Sequence, residues 1–362
     1  MNIESTGVVG AGLMGRDIAG LLANAGYDVT LVDIDQDALQ EAREFHESEL
    51  VSELREPEAE VTTRISYSTE LTSLSDAEFV VEAVPENLDL KRELLSDLEG
   101  VLCAEAVIGT NTSSLTPGDV AAPLEDPERV VLFHFANPAL HRDIVEISGD
   151  EATTRALDAA TDVADAIDRE PIRLQAEYRA NGLSRLSASI KCAASWELLD
   201  ADPAAIDRGA RNAGFDRGPF ELIDRIGLDV HLDTVDNLGV YGDRYAPPTQ
   251  IRERMEQMIA DGHLGMKTGQ GFFEWANGEA RIPEPDEPND ITPVLAALVN
   301  EAHRLVDDGV ADSETVNEIL KRGGDSETGP FDIEEMFGPD YLRELLETRY
   351  SETGATIYNP IF

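Results

Sequence analysis

Lysine is nearly missing from this 362-residue chain: Lys91, Lys191, Lys267 and Lys321 stand alone, leaving 24 of its 28 basic residues as arginine. Bases of both kinds are outnumbered by 73 acids, for a formal net charge of −45. That balance excludes nucleic acid as a partner, because a polyanion is bound through a basic footprint. Cysteine is scarce too. Cys103 and Cys192 are too few for a disulfide framework or a cysteine cage, and no metal site is expected. No apolar run reaches the ~18 residues of a spanning helix, so no membrane partner is expected. The opening residues, MNIESTGVVGAG, lack a basic segment ahead of an apolar one and do not read as a signal peptide. A cytoplasmic protein is the expectation.

What is present is 42% hydrophobic residues, enough for packed cores. The length suits two or three domains of ~150 residues. Acidity is spread along the whole chain rather than gathered in a tail. In dilute buffer such a charge repels itself and loosens the compact state. At molar salt the Debye length is only ~3 Å, and most of that repulsion is screened. The composition therefore points to a salt-rich cytoplasm.

Residues 3–9 (IESTGVV) read as a buried strand that runs into Gly10-Ala11-Gly12-Leu13-Met14-Gly15. A helix follows to about Ala25, and residues 28–33 (DVTLVD) form a second strand. Apolar runs at 78–84, 106–110 and 130–135 alternate with helical stretches such as 88–98, the mark of a parallel sheet covered on both faces. After about Arg179 the strand signals stop and helical periodicity takes over. Residues 281–292 (RIPEPDEPNDIT) read as a proline-rich acidic linker. Beyond it Gly218-Pro219-Phe220-Glu221-Leu222 recurs as Gly329-Pro330-Phe331-Asp332-Ile333, an offset of 111. Gly227 and Asp229 fall on Gly338 and Asp340 at the same offset, while Ala205-Ile206-Asp207 falls on Thr315-Val316-Asn317, one residue out of step. Flanking matches in one register indicate a helical repeat.

The glycines at 10, 12 and 15 follow a strand, open a helix, and are succeeded by Asp33 at the end of the next strand. That is the context a dinucleotide fingerprint requires. Gly10 allows the tight turn, Gly12 the approach of the pyrophosphate, and Gly15 close helix–strand packing, with Leu13 and Met14 in the same loop. Asp33 would accept from the adenosine ribose hydroxyls and repel a 2′-phosphate, so NAD is expected rather than NADP.

Four further segments carry polar groups that a core would not choose. They are residues 81–91 (VEAVPENLDLK), 111–115 (NTSSL), 134–138 (HFANP) and 145–147 (VEI). With the glycine loop they resemble, in order and nearly in spacing, the 3-hydroxyacyl-CoA dehydrogenases. The likeness continues through residues 218–229 (GPFELIDRIGLD) and 264–273 (LGMKTGQGFF). It implies a Rossmann-type doubly wound α/β sheet followed by an all-α domain of two related helical modules. The expected divisions are an NAD-binding domain at 1–178, a helical module at 179–280, a linker at 281–290 and a second, degenerate module at 291–362.

Imidazole suits taking and returning a hydroxyl proton near neutrality, and Glu146, twelve residues beyond His134 across a turn, could orient it. The resemblance makes Ser113 the serine that bonds the substrate's 3-oxygen. It places Asn111 and Asn137 at the cofactor, Asn137 toward the nicotinamide end, and gives Glu86 and Lys91 cofactor contacts. An exposed charge pair at a helix start is the competing reading of those last two. His46, His231, His263 and His303 have no partners at ligand spacing and read as surface or cap residues.

The family's P-G-F-x-x-N-R entry to its helical domain departs here to Arg179, Ala180 and, for the asparagine, Ser184. Serine can still donate to a carbonyl oxygen, but losing one such contact costs ~1–3 kcal/mol. Asn181, a turn earlier, is a possible substitute. Arg142 stands where the family tends to carry methionine, which either reshapes the acyl pocket or meets an anion. The expected activity is NAD-dependent, reversible oxidation of an acyl-CoA substrate, a (3S)-3-hydroxyacyl-CoA, with His134, Glu146, Ser113 and Ser184 at the reacting centre. The alternatives are a relative that oxidises a free hydroxy acid or sugar acid, and a catalytically idle cofactor-binding member. The second module repeats none of these motifs, so it should cover the first in cis. That arrangement gives a monomer holding an internal pseudo-dimer, or a dimer through another surface.

Overall fold

The computed structural model describes residues 3–55, 57, 58 and 60–362. They form two compact units, Met1–Asn181 and Gly182–Phe362.

The first unit is built on eight strands: β1 (Ser5–Val9), β2 (Asp28–Val32), β3 (Ile65–Ser68), β4 (Phe79–Glu82), β5 (Val107–Thr110), β6 (Val130–Phe135), β7 (Ile144–Ser148) and β8 (Glu170–Arg173). Their order is β3-β2-β1-β4-β5-β6-β7-β8, parallel throughout except for the antiparallel β6–β7 pair. Successive side chains along a strand point to opposite faces. Val8, Leu31, Phe79, Val81 and Phe133 therefore pack on one side with α1 (Leu13–Asn24), α2 (Gln36–Ser48) and α6 (Thr154–Ala166). The short α3 (Leu50–Glu53) lies there too, with Leu50 in the same cluster. Val9, Val32, Val80 and Ile108 face the other way, onto α4 (Leu88–Val101) and α5 (Pro117–Ala121). Both faces are covered, so the strands read as near-continuous apolar runs. Strand order reverses between β1 and β4, and the glycine loop sits at that switch point, where open α/β sheets bind their ligands.

The second unit carries α7 (Gly182–Glu197), α8 (Pro203–Asn212), α9 (Pro219–Ile226), α10 (Leu228–Asn237) and α11 (Thr249–Ala260). The repeat then supplies α12 (Thr292–Asp307), α13 (Ser313–Glu318), α14 (Pro330–Phe337) and α15 (Pro339–Thr353). α12 is buried on every side from Val294 to Ala302, as befits a central helix, and it packs along its counterpart α7. The two copies meet about a local two-fold: Phe215 forms an antiparallel bridge with Ser326, its own equivalent. Gly227 and Gly338 end the equivalent helices α9 and α14 at matching φ angles of 98° and 85°.

The one-residue slip within the repeat has a visible cause. Where α8 runs on regularly, the second copy passes from α13 into a π-helical turn, Ile319–Gly323. Such a turn holds one extra residue, so Asp207 aligns with Asn317 while Gly218 aligns with Gly329.

Two readings of the second half need correction. Strands do not stop at Arg179: β9 (Glu274–Ala276) and β10 (Glu279–Arg281) form an antiparallel hairpin. Its turn is Asn277-Gly278 with φ of 54° and 78°, the Asn-Gly pair that two-residue hairpins favour, so the signal was in the sequence. The proline-rich stretch is also no free tether. Asn289 donates to the Ala205 carbonyl at 2.9 Å, and a side chain at Gly209 would strike the Asn289 carbonyl.

Candidate active site

The glycine loop has the shape its spacing predicts. Gly10 has φ of 103°, and a Cβ there would lie 2.6 Å from the Ala83 carbonyl oxygen. At Gly15 a Cβ would lie 1.8 Å from the Gly10 carbonyl oxygen, so α1 can pack this closely only without a side chain. At Gly12 a Cβ would meet nothing within 4 Å: the space above the helix start is open. Gly12 caps α1 with no side-chain hydrogen bond, leaving the first N–H groups of α1, including those of Leu13 and Met14, directed at that space. An anion fits there, and the pyrophosphate of a dinucleotide is such an anion. Asp33 stands at the end of β2, where its Oδ2 accepts from Ala11 N at 2.7 Å and its Oδ1 from Asp35 N at 2.8 Å. It thus pins the glycine loop. Beside it Ile34 is 94% exposed, an apolar surface the sequence reading overlooked.

β6 and β7 bring His134 and Glu146 together. They are directly opposed in the antiparallel register, so both side chains leave the same face. His134 Nδ1 lies 3.0 Å from Glu146 Oε2, and its Nε2 lies 3.2 Å from Ser113 Oγ. A carboxylate only accepts, so Nδ1 carries the proton and Nε2 presents its lone pair to the serine hydroxyl. Glu146 is fully buried and His134 nearly so.

Ser113 is held by a second cluster. Glu86 Oε1 accepts from Thr112 Oγ1 at 2.6 Å, Ser113 N at 3.0 Å, and both N and Oγ of Ser114 at 2.8 Å. Burial pushes the Glu86 carboxyl up, but the Lys91 charge and these hydrogen bonds outweigh it and hold the group below its ordinary range. Lys91 is 1% exposed, so the pair is no exposed charge pair at a helix start. Its Nζ donates to Glu82 Oε1 at 2.7 Å and to the Val84 carbonyl at 3.2 Å, with Glu86 Oε2 at 3.5 Å. Glu82, buried on β4, also accepts from Thr110 Oγ1 at 2.7 Å. Glu82, Thr110, Thr112 and Ser114 were given no role from sequence, although an acid inside the apolar run 78–84 was the available hint. Asn111 Oδ1 accepts from Phe135 N at 2.9 Å, tying the loop after β5 to the strand that carries His134.

Asn137 precedes Pro138 through a cis peptide bond, and its carbonyl accepts from Arg142 Nε at 3.4 Å. Arg142 is buried, its side chain bracing this turn. Ala180, which takes the family's glycine position, has φ of 55°, the left-handed region that a glycine would enter freely. Asn181 precedes the first residue of α7, so it is not a helical turn ahead of Ser184; Ser184 lies in the first turn of α7, half-buried, in the second unit.

The histidines depart from their surface reading. His46 is fully buried, its ring nitrogens 2.8 Å from Tyr67 Oη and from the Arg16 carbonyl. His231 is 3% exposed, and His303 lies 3.0 Å from Glu334. His263 is exposed as expected. Among the described residues no group of three or more His, Cys, Asp or Glu side chains could hold a metal, and no helix is long and apolar enough to cross a membrane.

Comparison with known proteins follows the same division. Residues 5–177 match the model for the NAD-binding domain of 3-hydroxyacyl-CoA dehydrogenase, and residues 184–275 and again 291–362 match its C-terminal domain. The chain is 28% identical over 324 residues to 3-hydroxyadipyl-CoA dehydrogenase of Escherichia coli, covering 85% of this chain and 67% of that one. It is 29% identical over 359 residues to the peroxisomal bifunctional enzyme of Cavia porcellus, covering 89% of this chain but spanning only 49% of that protein. The crystal structure of an E. coli 3-hydroxybutyryl-CoA dehydrogenase shares the fold, with a TM-score of 0.83, 23% identity, and coverage of 100% and 97% of the two chains.

Proposed function

Because this chain belongs to the 3-hydroxyacyl-CoA dehydrogenase family, we propose that it oxidises (3S)-3-hydroxyacyl-CoA reversibly to 3-oxoacyl-CoA, in fatty-acid β-oxidation or related acyl-CoA metabolism. The observation that carries this is the run Ser113–His134–Glu146, with contacts of 3.2 and 3.0 Å. His134 Nε2 takes the proton of the substrate's 3-hydroxyl. Glu146 stabilises the imidazolium that results and keeps the ring in the tautomer that can accept. Ser113 Oγ, already beside Nε2, donates to the 3-oxygen as it becomes a carbonyl. In the reverse direction His134 returns the proton.

Bound NAD+ supplies the hydride acceptor, and the hydride chemistry is its own. The residues assigned to hold it are Gly10, Gly12, Leu13, Met14 and Gly15 at the pyrophosphate and Asp33 at the adenosine ribose. Ile34 offers a flat apolar surface for the adenine. Asn137 belongs to the nicotinamide end, and Asn111, Glu86 and Lys91 are assigned cofactor contacts. For Glu86 and Lys91 the contacts described above favour a supporting part: they hold the Ser113 loop in place.

The test is NADH consumption with acetoacetyl-CoA at molar KCl, set beside NADH production with free hydroxy acids. Turnover of the thioester supports the proposal. Turnover of free acids alone would replace it, and turnover of neither would make this a cofactor-binding member without the activity.

A further inference from the structure

Glu82 is the last residue of β4 and is fully buried. A carboxylate so placed is costly unless donors meet its oxygens. Here they meet both. Oε1 accepts from Lys91 Nζ at 2.7 Å and from Val84 N at 2.9 Å, while Oε2 accepts from Thr110 Oγ1 at 2.7 Å. Thr110 lies opposite Glu82 in the β4–β5 register, and Asn111 N donates to the Glu82 carbonyl at 2.9 Å. The loop that carries Ser113 leaves β5 at this point, so Glu82 grips its base.

The tip of the same loop is gripped by Glu86, and the two acids share one cation. Lys91 Nζ lies 2.7 Å from Glu82 but 3.5 Å from Glu86. Opposite charges in a buried site attract strongly, because little water screens them. Glu86 nonetheless stands off, because the ammonium is already held by Glu82 and by the Val84 carbonyl at 3.2 Å. Its Oε1 is thereby left to Thr112 Oγ1, Ser113 N and both donors of Ser114, at 2.6–3.0 Å. Without Glu82, Glu86 would be the one acid paired with Lys91 among the described residues, and its carboxylate would be drawn off the loop. The line of contacts then runs on to the dyad, since Ser113 Oγ lies 3.2 Å from His134 Nε2.

We propose that Glu82 is a positioning residue for the reaction: by holding Lys91 and Thr110 it keeps Glu86 on residues 112–114, and so keeps the Ser113 hydroxyl where it meets both His134 and the substrate's 3-oxygen. This rests on the acyl-CoA reading and adds to it the residue that sets the serine.

The experiment is a double-mutant cycle between Glu82→Gln and Ser113→Ala in the full chain. It is read as kcat and KM for acetoacetyl-CoA with NADH at molar KCl, corrected for the folded fraction by circular dichroism. Glu82→Gln alone should lower kcat by ~10–10²-fold, the cost of misplacing a reacting group by about 1 Å. KM for the thioester should stay within about twofold, because the contact that weakens belongs to the transition state. In the Ser113→Ala background the same substitution should lower kcat less than about twofold, because its effect has nothing left to act through.

Losses that multiply across the cycle would overturn the proposal and leave Glu82 a residue of the core. So would an unchanged kcat in Glu82→Gln, or a loss confined to KM. If Glu82→Gln does not fold, Thr110→Val takes its place, since it removes one hydroxyl, keeps the side-chain shape and leaves Lys91 paired. It should lower kcat by a smaller factor, and only while Ser113 is present; a loss independent of Ser113 would again overturn the proposal. If the wild type turns over free hydroxy acids alone, the acyl-CoA reading fails, and the same cycle on a free acid still decides the role of Glu82. A wild type idle toward both overturns the two together.

Discussion

Phe215 bridges Ser326, and the two are 111 positions apart, the offset of the internal repeat itself. A residue that meets its own equivalent lies on a two-fold axis, the arrangement of an isologous dimer, here enclosed in one chain. The linker keeps the second copy at high local concentration, so cis pairing should exclude pairing between molecules. The intact protein should be a monomer, or a dimer through another surface, by light scattering at molar KCl. Truncation near Ala280 strips α12 from α7 and leaves Arg185, fully buried, without Glu301, its partner at 2.7 Å. The truncated chain should dimerise or aggregate; a well-behaved monomer would refute the pairing.

The dyad gives the next expectation. His134→Ala or Glu146→Gln should reduce turnover ~10²–10⁴-fold, the usual worth of a positioned general base. NADH binding, followed by fluorescence, should change little. Unchanged turnover in both variants would sink the assignment.

Asp33 should give NAD a clear preference over NADP, and Asp33→Ala should shrink it. Because Asp33 also holds Ala11 N at 2.7 Å, the variant should lose affinity for both cofactors as well. Equal use of the two by the wild type would count decisively against this.

Asp207 and its equivalent Asn317 form an internal control. Asp207 accepts from Phe220 N and Glu221 N at 2.9 Å each, while Asn317 accepts from Phe331 N at the same distance. Burial pushes the Asp207 carboxyl up to about 7 despite those bonds. The unfolded chain releases this proton near ~3.9, so the folded state binds more protons between about pH 4 and 7, and stability falls as pH rises through that window. Asp207→Asn should therefore raise Tm at pH 8 and lose that advantage near pH 4, where only the weakened hydrogen bonding remains. A Tm difference independent of pH would rule this out.

With 73 acids facing 28 bases, stability should rise steeply with ionic strength into the molar range. We propose on this composition that the protein is adapted to high salt. A melting temperature that stays flat from dilute buffer to molar KCl would overturn that.

The sheet, the glycine loop and the His134–Glu146 pair were legible because each is written in local spacing. A strand, a short turn and a strand place residues twelve apart side by side, whatever surrounds them. Lys91 was not legible as a buried residue. It opens an amphipathic helix like any surface lysine, and the acid that takes it inside, Glu82, lies on the preceding strand. His46 and His231 misled for a similar reason: burial there is decided by elements distant in sequence. The π-helical turn left only a slip of one residue, which does not say where the extra residue is stored. Ser184 is placed by resemblance alone.

The buried contacts of Glu301 have a consequence for synthesis. Arg185 and Tyr245 both bond its Oε1, at 2.7 and 2.6 Å, and Arg185 precedes it by 116 residues. On a ribosome the first unit can complete its sheet while translation continues. Helix α7 must wait, Arg185 unsatisfied, until Glu301 has been made. The nascent helical half therefore has a long vulnerable interval, during which chaperone capture or pairing with a neighbouring nascent chain competes with closure.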